Sequence, residues 1–280
     1  MGAVPGGVDW LEVVPGVLRT IGTPVDVNCV LVLGRDRALV VDTGSTAAEG
    51  ARLRAGVLDR AGGRELVVVN THAHYDHCFG NFAFQDRETW AAAGCVADLV
   101  ATGEQQRRQA AWRWRSEDPA FAKALESTPI VPAGRQVEHP QSLELGGSVA
   151  ELLVIGRGHT DHDLVVWLPA LKTMIAGDLV EASGPPQLED SFPLSWADRL
   201  DQLLALGAVV TVPGHGRPVG ERFVRAQARS LRRLAEWCVG EMSGGVTAAT
   251  PPGWSAGSAR IALRRARLEV QEPSSGSPSI

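Results

Sequence analysis

The chain has 280 residues, of which 44% are hydrophobic and 21% are charged, so it contains enough apolar material for a substantial buried core. Its 27 basic and 32 acidic residues leave a net charge of −5, which argues against nucleic acid or an anionic membrane surface as a partner. No apolar stretch approaches the roughly 18 residues needed to cross a bilayer, and the first ten residues lack the basic start and apolar segment of a signal peptide. We therefore expect a soluble, cytoplasmic protein, and the oligomeric state stays unknown.

The first part of the chain alternates strands with a helix. Apolar runs separated by turn residues predict three antiparallel strands, at residues 11–20, 28–33 and 38–41. Apolar residues spaced by four then predict a helix over residues 46–61, which the following pair of glycines ends. A buried strand is predicted at residues 65–70, and the composition of residues 91–127 predicts one or two covering helices.

The second part repeats this rhythm. Further strands are predicted at residues 148–155, 164–168, 173–176 and 209–212. A helix begins at Ser195, where Asp198 three positions on completes an N-terminal signal, and it ends at Gly207. Past residue 220 the chain is helical and rich in arginine.

The most informative motif, HxHxDH, directly follows the predicted buried strand at residues 65–70. In extended backbone, alternate side chains project to the same side, so His72 and His74 can converge on one cation. Asp76 and His77 lie past the turn and can face another cation. One loop could therefore serve two metal centres.

Three further candidate ligands lie where a strand meets a loop, and each has a glycine beside it: His159, Asp178 and His215. Glycine allows the backbone conformations that aim a neighbouring side chain inward from a tight turn. The four cysteines are scattered without a CxxC pair, so we expect buried thiols rather than disulfides or a thiolate zinc site.

With these residues, the sequence resembles the metallo-β-lactamase superfamily, whose members carry an HxHxDH loop, a separated His, an Asp or Cys, and a final His. The resemblance covers about residues 11–220 and implies an α/β (α+β) fold, the four-layer αββα sandwich of two similar halves. It also implies two ligand sets: one metal held by His72, His74 and His159, a second held by Asp76, His77 and His215, and Asp178 bridging them.

The same resemblance also predicts the domain organisation of the chain. It predicts a catalytic domain over residues 1–220 and a C-terminal helical extension over residues 221–272, packed on the same domain. Residues 273–280 are rich in Ser, Gly and Pro, and we expect them to be disordered because they cannot bury enough apolar surface.

The ligand types indicate the chemistry. Imidazoles and carboxylates without a thiolate suit Zn²⁺ best, although Fe or Mn accepts the same atoms. Two neighbouring cations lower the pKa of a shared water toward about 7 and polarise a substrate carbonyl. We therefore expect a dinuclear zinc hydrolase in which a metal-bridging hydroxide attacks a small ester-like carbonyl. Asp76 is the candidate catalytic residue, either orienting the hydroxide or passing a proton to the leaving group.

The substrate class is narrowed by one departure from the β-lactam-hydrolysing members of the family. Those members commonly carry a Cys at the position of Asp178, and an Asp there resembles members that cleave thioesters, lactones or phosphodiesters. Trp112 and Trp114 lie two apart in a predicted helix, and plain packing of both is favoured over one overhanging the metal cleft. The acidic charge favours a small acyl substrate, a thioester or lactone above others, with no nucleic acid and no membrane as partner.

Three further residues have both a functional and a structural interpretation. Asp42 either resembles the family's carboxylate that receives a ligand histidine's free N–H, or is a turn aspartate, and both alternatives stay open. His162 could contact substrate or a metal ligand, but an exposed loop histidine is favoured. Cys78 is favoured as a packed thiol rather than a ligand.

Three other functions compete with the hydrolase. Iron at the same ligands would give an oxidoreductase of the sulfur dioxygenase kind. A phosphodiesterase or nuclease is the next alternative, which the acidic charge disfavours. A non-catalytic binding module is the third, and a complete ligand set argues against it.

Overall fold

The computed structural model describes residues 8–244 and 250–271. The first half contains, in chain order, β1 (Leu11–Val14), β2 (Val17–Gly22), β3 (Val27–Leu33), β4 (Arg37–Val41), α1 (Ala47–Ala61), β5 (Glu65–Val69), α2 (Tyr75–Cys78), β6 (Glu88–Ala92), α3 (Ala93–Trp114), α4 (Pro119–Glu126) and β7 (Arg135–Val137). The second half contains β8 (Gln141–Glu144), β9 (Val149–Gly156), β10 (Asp163–Leu168), β11 (Thr173–Glu181), α5 (Trp196–Ala205), β12 (Val210–His215), α6 (Glu221–Met242) and α7 (Ala256–Gln271).

The strands form two sheets that are connected through β3 and β12. The first sheet has the order β1-β2-β3-β4-β5-β6-β7, and the second has the order β12-β11-β10-β9-β8. Among the described residues, β3 and β12 pair antiparallel at one position, Val27 with His215. The pairs from β4 to β7 and the pair β11-β12 are parallel, and the other pairs are antiparallel.

Alternation along the strands builds the layers. In β3, Leu31 packs with α1 in one apolar cluster, whereas Val30 packs in the central cluster between the sheets. In β10, Val166 belongs to that central cluster, and Trp167 packs with the helices of the second half. Successive side chains of a strand point to opposite faces, so each sheet is buried on both sides. This is the αββα sandwich that the resemblance implied.

Several element boundaries follow directly from local sequence. The predicted N-terminus of α1 is confirmed, because the Thr46 hydroxyl accepts a hydrogen bond from the Glu49 amide at 3.1 Å. The helix ends at Gly62, whose φ of +59° is left-handed. The predicted single strand at residues 11–20 is wrong, because a turn at Gly16 divides it into β1 and β2.

The C-terminal helices lie on the outer face of the second sheet. Helix α6 packs against α5, and α7 packs against α6. The division of the chain at residue 220 stays a prediction, and the tail at residues 273–280 lies outside the described residues. Within the described ranges, no helix is both long and apolar enough to cross a membrane.

Candidate metal centre

The seven ligands predicted from the sequence come together at one edge of the sandwich. The loop after β5 carries His72 and His74, and α2 carries Asp76 and His77. The second half supplies the others, from the loop after β9, from β11 and from the end of β12: His159, Asp178 and His215. Their ligand atoms form two groups, within each of which all atoms lie within 4.8 Å of one another.

The first group has three histidine nitrogens facing one another. His74 Nδ1 lies 3.0 Å from His72 Nε2 and 3.0 Å from His159 Nε2. Asp178 Oδ2 completes the group, 3.6 Å from His159 Nε2 and 4.0 Å from His72 Nε2. In a tetrahedral zinc site with bonds of about 2.0 to 2.1 Å, neighbouring ligand atoms are about 3.3 Å apart. The observed spacings fit such a site.

The second group has the same spacing. His215 Nε2 lies 3.2 Å from Asp76 Oδ2, and His77 Nε2 lies 3.8 Å from the same oxygen. The Asp178 carboxylate reaches this group as well, with Oδ1 3.3 Å from His77 Nε2 and Oδ2 3.6 Å from His215 Nε2. Asp178 therefore stands between both groups, the position that the resemblance assigns to a bridging ligand.

Two glycines make room for Asp178. The strand β11 runs beyond its predicted end at residue 176 to Glu181, so Asp178 lies inside the strand rather than at its end. Gly177, with a φ of +53°, interrupts the regular pairing with β12 and turns Asp178 toward the ligands. A Cβ on Gly214 of β12 would lie 1.7 Å from Asp178 Oδ1, so only glycine fits there.

Unpartnered polar atoms support a metal-binding role for these residues. His77 Nε2 and Asp178 Oδ1 are buried, and neither has a hydrogen-bond partner in the described part of the chain. A buried polar atom without a partner costs free energy, which coordination of a cation would offset. The donor set, five imidazoles and two carboxylates, also fits Zn²⁺, Fe or Mn.

Hydrogen bonds from outside the cluster fix the tautomers of His72 and His77. His77 Nδ1–H donates to Asp42 Oδ2 at 2.8 Å, so its Nε2 is left for the cluster. The Thr71 hydroxyl donates to the same Asp42 oxygen and therefore accepts from His72 Nδ1–H at 3.0 Å. Asp42 thus orients one ligand directly and a second through Thr71, so the structure supports the first of its two sequence alternatives.

Two other ligands are oriented by groups that the sequence motif does not contain. His74 Nε2–H donates to Asp190 Oδ2 at 2.7 Å, which directs Nδ1 into the first group. His215 Nδ1–H donates to the Val25 carbonyl at 3.0 Å, which directs Nε2 into the second. Asp190 escaped the sequence prediction because its loop carries no motif or periodicity.

Protonation differs among the histidines. Burial lowers the pKa of His159 to about 4 and that of His72 well below its usual value, so both imidazoles are neutral at pH 7. Burial opposes the charged form of His74, but the charge and hydrogen bond of Asp190 raise its pKa to about 9. Asp178 and Asp76 likewise raise the pKa of His215 to about 9, against the effect of burial.

We expect metal affinity to rise with pH up to about 9. His74 and His215 carry protons below their raised pKa values, and a cation must displace these protons to bind. The apparent affinity for Zn²⁺ therefore falls as the pH is lowered from 9 to 6. Calorimetric titration at pH 7.5 in buffers of different ionisation enthalpy measures the protons released. A binding heat that does not depend on the buffer contradicts this assignment.

The structure overturns the expectation of an exposed His162. Only 5% of this residue is accessible, and its Nε2 accepts a hydrogen bond from the Ala73 amide at 3.2 Å. Its Nδ1–H donates to Asp161 Oδ1 at 2.6 Å. Because Ala73 lies between two ligand histidines, His162 holds the backbone of the HxHxDH loop.

Three further side chains singled out in the sequence are Cys78, Trp112 and Trp114. Cys78 is buried, and its thiol donates to the carbonyls of Ala73 and His74. The expectation that both tryptophans pack is wrong for one of them. Trp114 Nε1–H donates to the Tyr75 hydroxyl at 3.2 Å, whereas Trp112 is 66% exposed.

Sequence comparisons agree with this geometry. The family model described as "Metallo-beta-lactamase superfamily" matches residues 22–215. A "Metallo-beta-lactamase type 2" of Bacillus sp. (strain 170) is 26% identical over 160 residues, which are 55% of this chain and 52% of that protein. The protein of the same name from Bacillus cereus is 33% identical over 86 residues, 29% of this chain and 33% of that protein. The chain thus spans about half of the first relative and a third of the second.

Solved structures are similar over a longer stretch. The crystal structure of DIM-1 metallo-beta-lactamase aligns with a TM-score of 0.62 at 20% identity, covering 80% of this chain and 97% of that chain. A metallo-beta-lactamase from Pontibacter korlensis aligns with a TM-score of 0.62 at 18% identity, covering 79% and 99%. At such low identity the likeness establishes the fold alone.

Proposed function

The chain belongs to the metallo-beta-lactamase superfamily, and we propose that it acts as a dinuclear zinc hydrolase on a small ester-like carbonyl, a thioester or lactone above others. The observation that carries this proposal is the position of Asp178, whose carboxylate stands within 3.6 Å of a histidine nitrogen in each group. A single carboxylate so placed suits a pair of cations better than an isolated one. Fe or Mn would accept the same donors.

Each proposed cation would have its own protein ligands. His72, His74 and His159 would hold the first, and Asp76, His77 and His215 would hold the second, with Asp178 shared. The bound pair would supply a nucleophile from water at neutral pH and Lewis acidity for the substrate carbonyl.

Asp76 is the residue best placed to handle a proton. Burial opposes its charge, but the neighbouring His77 and His215 lower the pKa of Asp76 to about 2. The carboxylate is therefore ionised at neutral pH, and it would orient the attacking hydroxide or pass a proton to the leaving group. Asp42 and Asp190 act on the ligands, holding His77 and His74 in the tautomers that face the cluster.

The net charge of the chain supports the proposed substrate class. The net charge of −5 offers no attraction to a polyanion such as RNA. A small acyl compound needs only its carbonyl at the cations and apolar contact beside them. β-Lactam hydrolysis is a second candidate, because the two Bacillus relatives are named as metallo-beta-lactamases.

We expect metal-dependent hydrolysis of at least one thioester or lactone and little cleavage of RNA or DNA. The measurement is turnover of thioester, lactone, β-lactam and phosphodiester substrates by protein whose metal content has been determined. Chelation should remove the activity, and added Zn²⁺ should restore it. Turnover of β-lactams alone would favour the second candidate. Nuclease turnover with inert acyl substrates, or oxygen-dependent activity with bound iron, would overturn the proposal.

A further inference from the structure

A loop between β11 and α5, residues 187–195, brings Asp190 to the metal-ligand candidate His74; we call it the Asp190 loop. It has no regular secondary structure that would fix the position of its backbone. The hydrogen bond from His74 Nε2–H to Asp190 Oδ2 is 2.7 Å long, so the loop must be held to within a few tenths of an ångström. The contacts that hold this loop in place therefore determine how precisely His74 is oriented.

Helix α7 supplies that support through Arg265. The guanidinium donates from Nη2 to the Asp190 carbonyl at 2.7 Å and from Nε to the Ser191 carbonyl at 2.9 Å. Both bonds lie in the plane of one rigid group, so they fix two successive peptide units together. The residue that orients His74 is thus itself held by a helix outside the region of the family match, which ends at residue 215.

The same arginine packs against the next residue of the loop. Phe192 is buried, and two guanidinium groups lie against its ring, with Arg265 Cζ 5.3 Å and Arg157 Cζ 4.9 Å from the ring centroid. The Phe192 amide donates to the Gly158 carbonyl at 2.9 Å, immediately before His159. The Asp190 loop is therefore tied to α7 on one side and to the loop of a second ligand on the other.

Glu269 fixes the end of the loop from the same face of α7, one turn beyond Arg265. Its buried carboxylate accepts hydrogen bonds from the Leu194 amide at 2.9 Å and from the Ser195 hydroxyl. Helix α7 is therefore hydrogen-bonded to both the middle and the end of the Asp190 loop.

We infer that α7 stabilises the metal centre by holding the Asp190 loop in place. Arg265 is then a positioning residue that acts on His74 through Asp190. The inference deepens the proposed function, and it rests on that function only for the claim that the cluster binds metal. It does not depend on the substrate.

The test compares Arg265→Ala with Arg267→Ala, which removes an exposed arginine from the same helix. Affinities for Zn²⁺ and Co²⁺ are measured by competition with a chromophoric chelator. Removing a residue that orients a ligand lowers metal affinity by about 10–100-fold, so we expect such a loss in Asp190→Ala and about a 3–10-fold loss in Arg265→Ala. Arg267→Ala should match the wild type.

A double-mutant cycle separates positioning from general damage. If Arg265 acts through Asp190, Arg265→Ala should cost less than about twofold in the Asp190→Ala background. Arg265→Lys, which keeps the charge but lacks the planar fork, should fall between wild type and Arg265→Ala, and it serves as the test variant if Arg265→Ala does not fold. Thermal unfolding of the metal-free variants reports on folding separately.

Two results would overturn the inference: equal metal affinities for Arg265→Ala and Arg267→Ala, or full additivity in the cycle. Failure of the proposed function looks different. A wild type that binds Zn²⁺ but hydrolyses no acyl substrate refutes the proposed substrate class and does not affect the inference about α7 and Arg265. A wild type that binds neither cation refutes both.

Discussion

Replacing Asp178 with Ala is expected to weaken metal binding by more than about 100-fold and to abolish turnover. Changes to residues that only orient ligands already cost about 10–100-fold in affinity, and Asp178 faces the ligand atoms of both groups. Metal analysis after dialysis and turnover of the best acyl substrate measure the effect.

Two further variants make this result specific. Asp178→Asn keeps the shape and one oxygen but loses the charge, so it should retain more metal than Asp178→Ala. Asp59→Ala removes an exposed carboxylate from α1 and should behave as the wild type. Circular dichroism should show the same fold in all three. An Asp178→Ala protein that kept both metals and full activity would remove Asp178 from the site.

A second large effect is expected from Gly214→Ala. The added Cβ would lie 1.7 Å from Asp178 Oδ1 and 3.0 Å from the Asp178 backbone nitrogen, so the carboxylate cannot keep its position. Because Asp178 faces both groups of ligands, this single methyl group should lower metal content and turnover nearly as much as Asp178→Ala.

The matched control is Gly134→Ala. A Cβ at Gly134 has no heavy atom within 4 Å, so the substitution tests the loss of glycine without the clash. It should leave metal content and turnover unchanged. Normal metal content in Gly214→Ala would mean that Asp178 can move without consequence, which contradicts the role given to it here.

The ligand positions could be anticipated from the sequence because they depend on local pattern. The HxHxDH motif places four ligand candidates in six positions, and the junctions of strands with glycine-containing loops identify the other three. The sandwich followed from a resemblance carried by the same residues. What the sequence supplied was therefore the set of donors and the scaffold that gathers them.

The groups around the ligands could not be anticipated, because they come from distant segments. Asp190 reaches His74 across 116 positions of sequence, from a loop without periodicity. His162 is buried because Gly94 at the start of α3 allows close approach; a Cβ there would lie 2.7 Å from His162 Cβ. Neither contact leaves a signal in the residues adjacent to it.

The ligand cluster also affects how strongly the two sheets are held together. In the described part of the chain, Val27–His215 is the one backbone-paired position between strands of the two sheets, and each proposed set of metal ligands takes members from both halves of the chain. A cation in either group would therefore be a cross-link between the halves, close to the Val27–His215 bridge. At a free metal concentration of 100 times the dissociation constant, such binding adds about 2.7 kcal/mol to the free energy of unfolding. The same ions that supply the chemistry would thus keep the two sheets from parting at that edge.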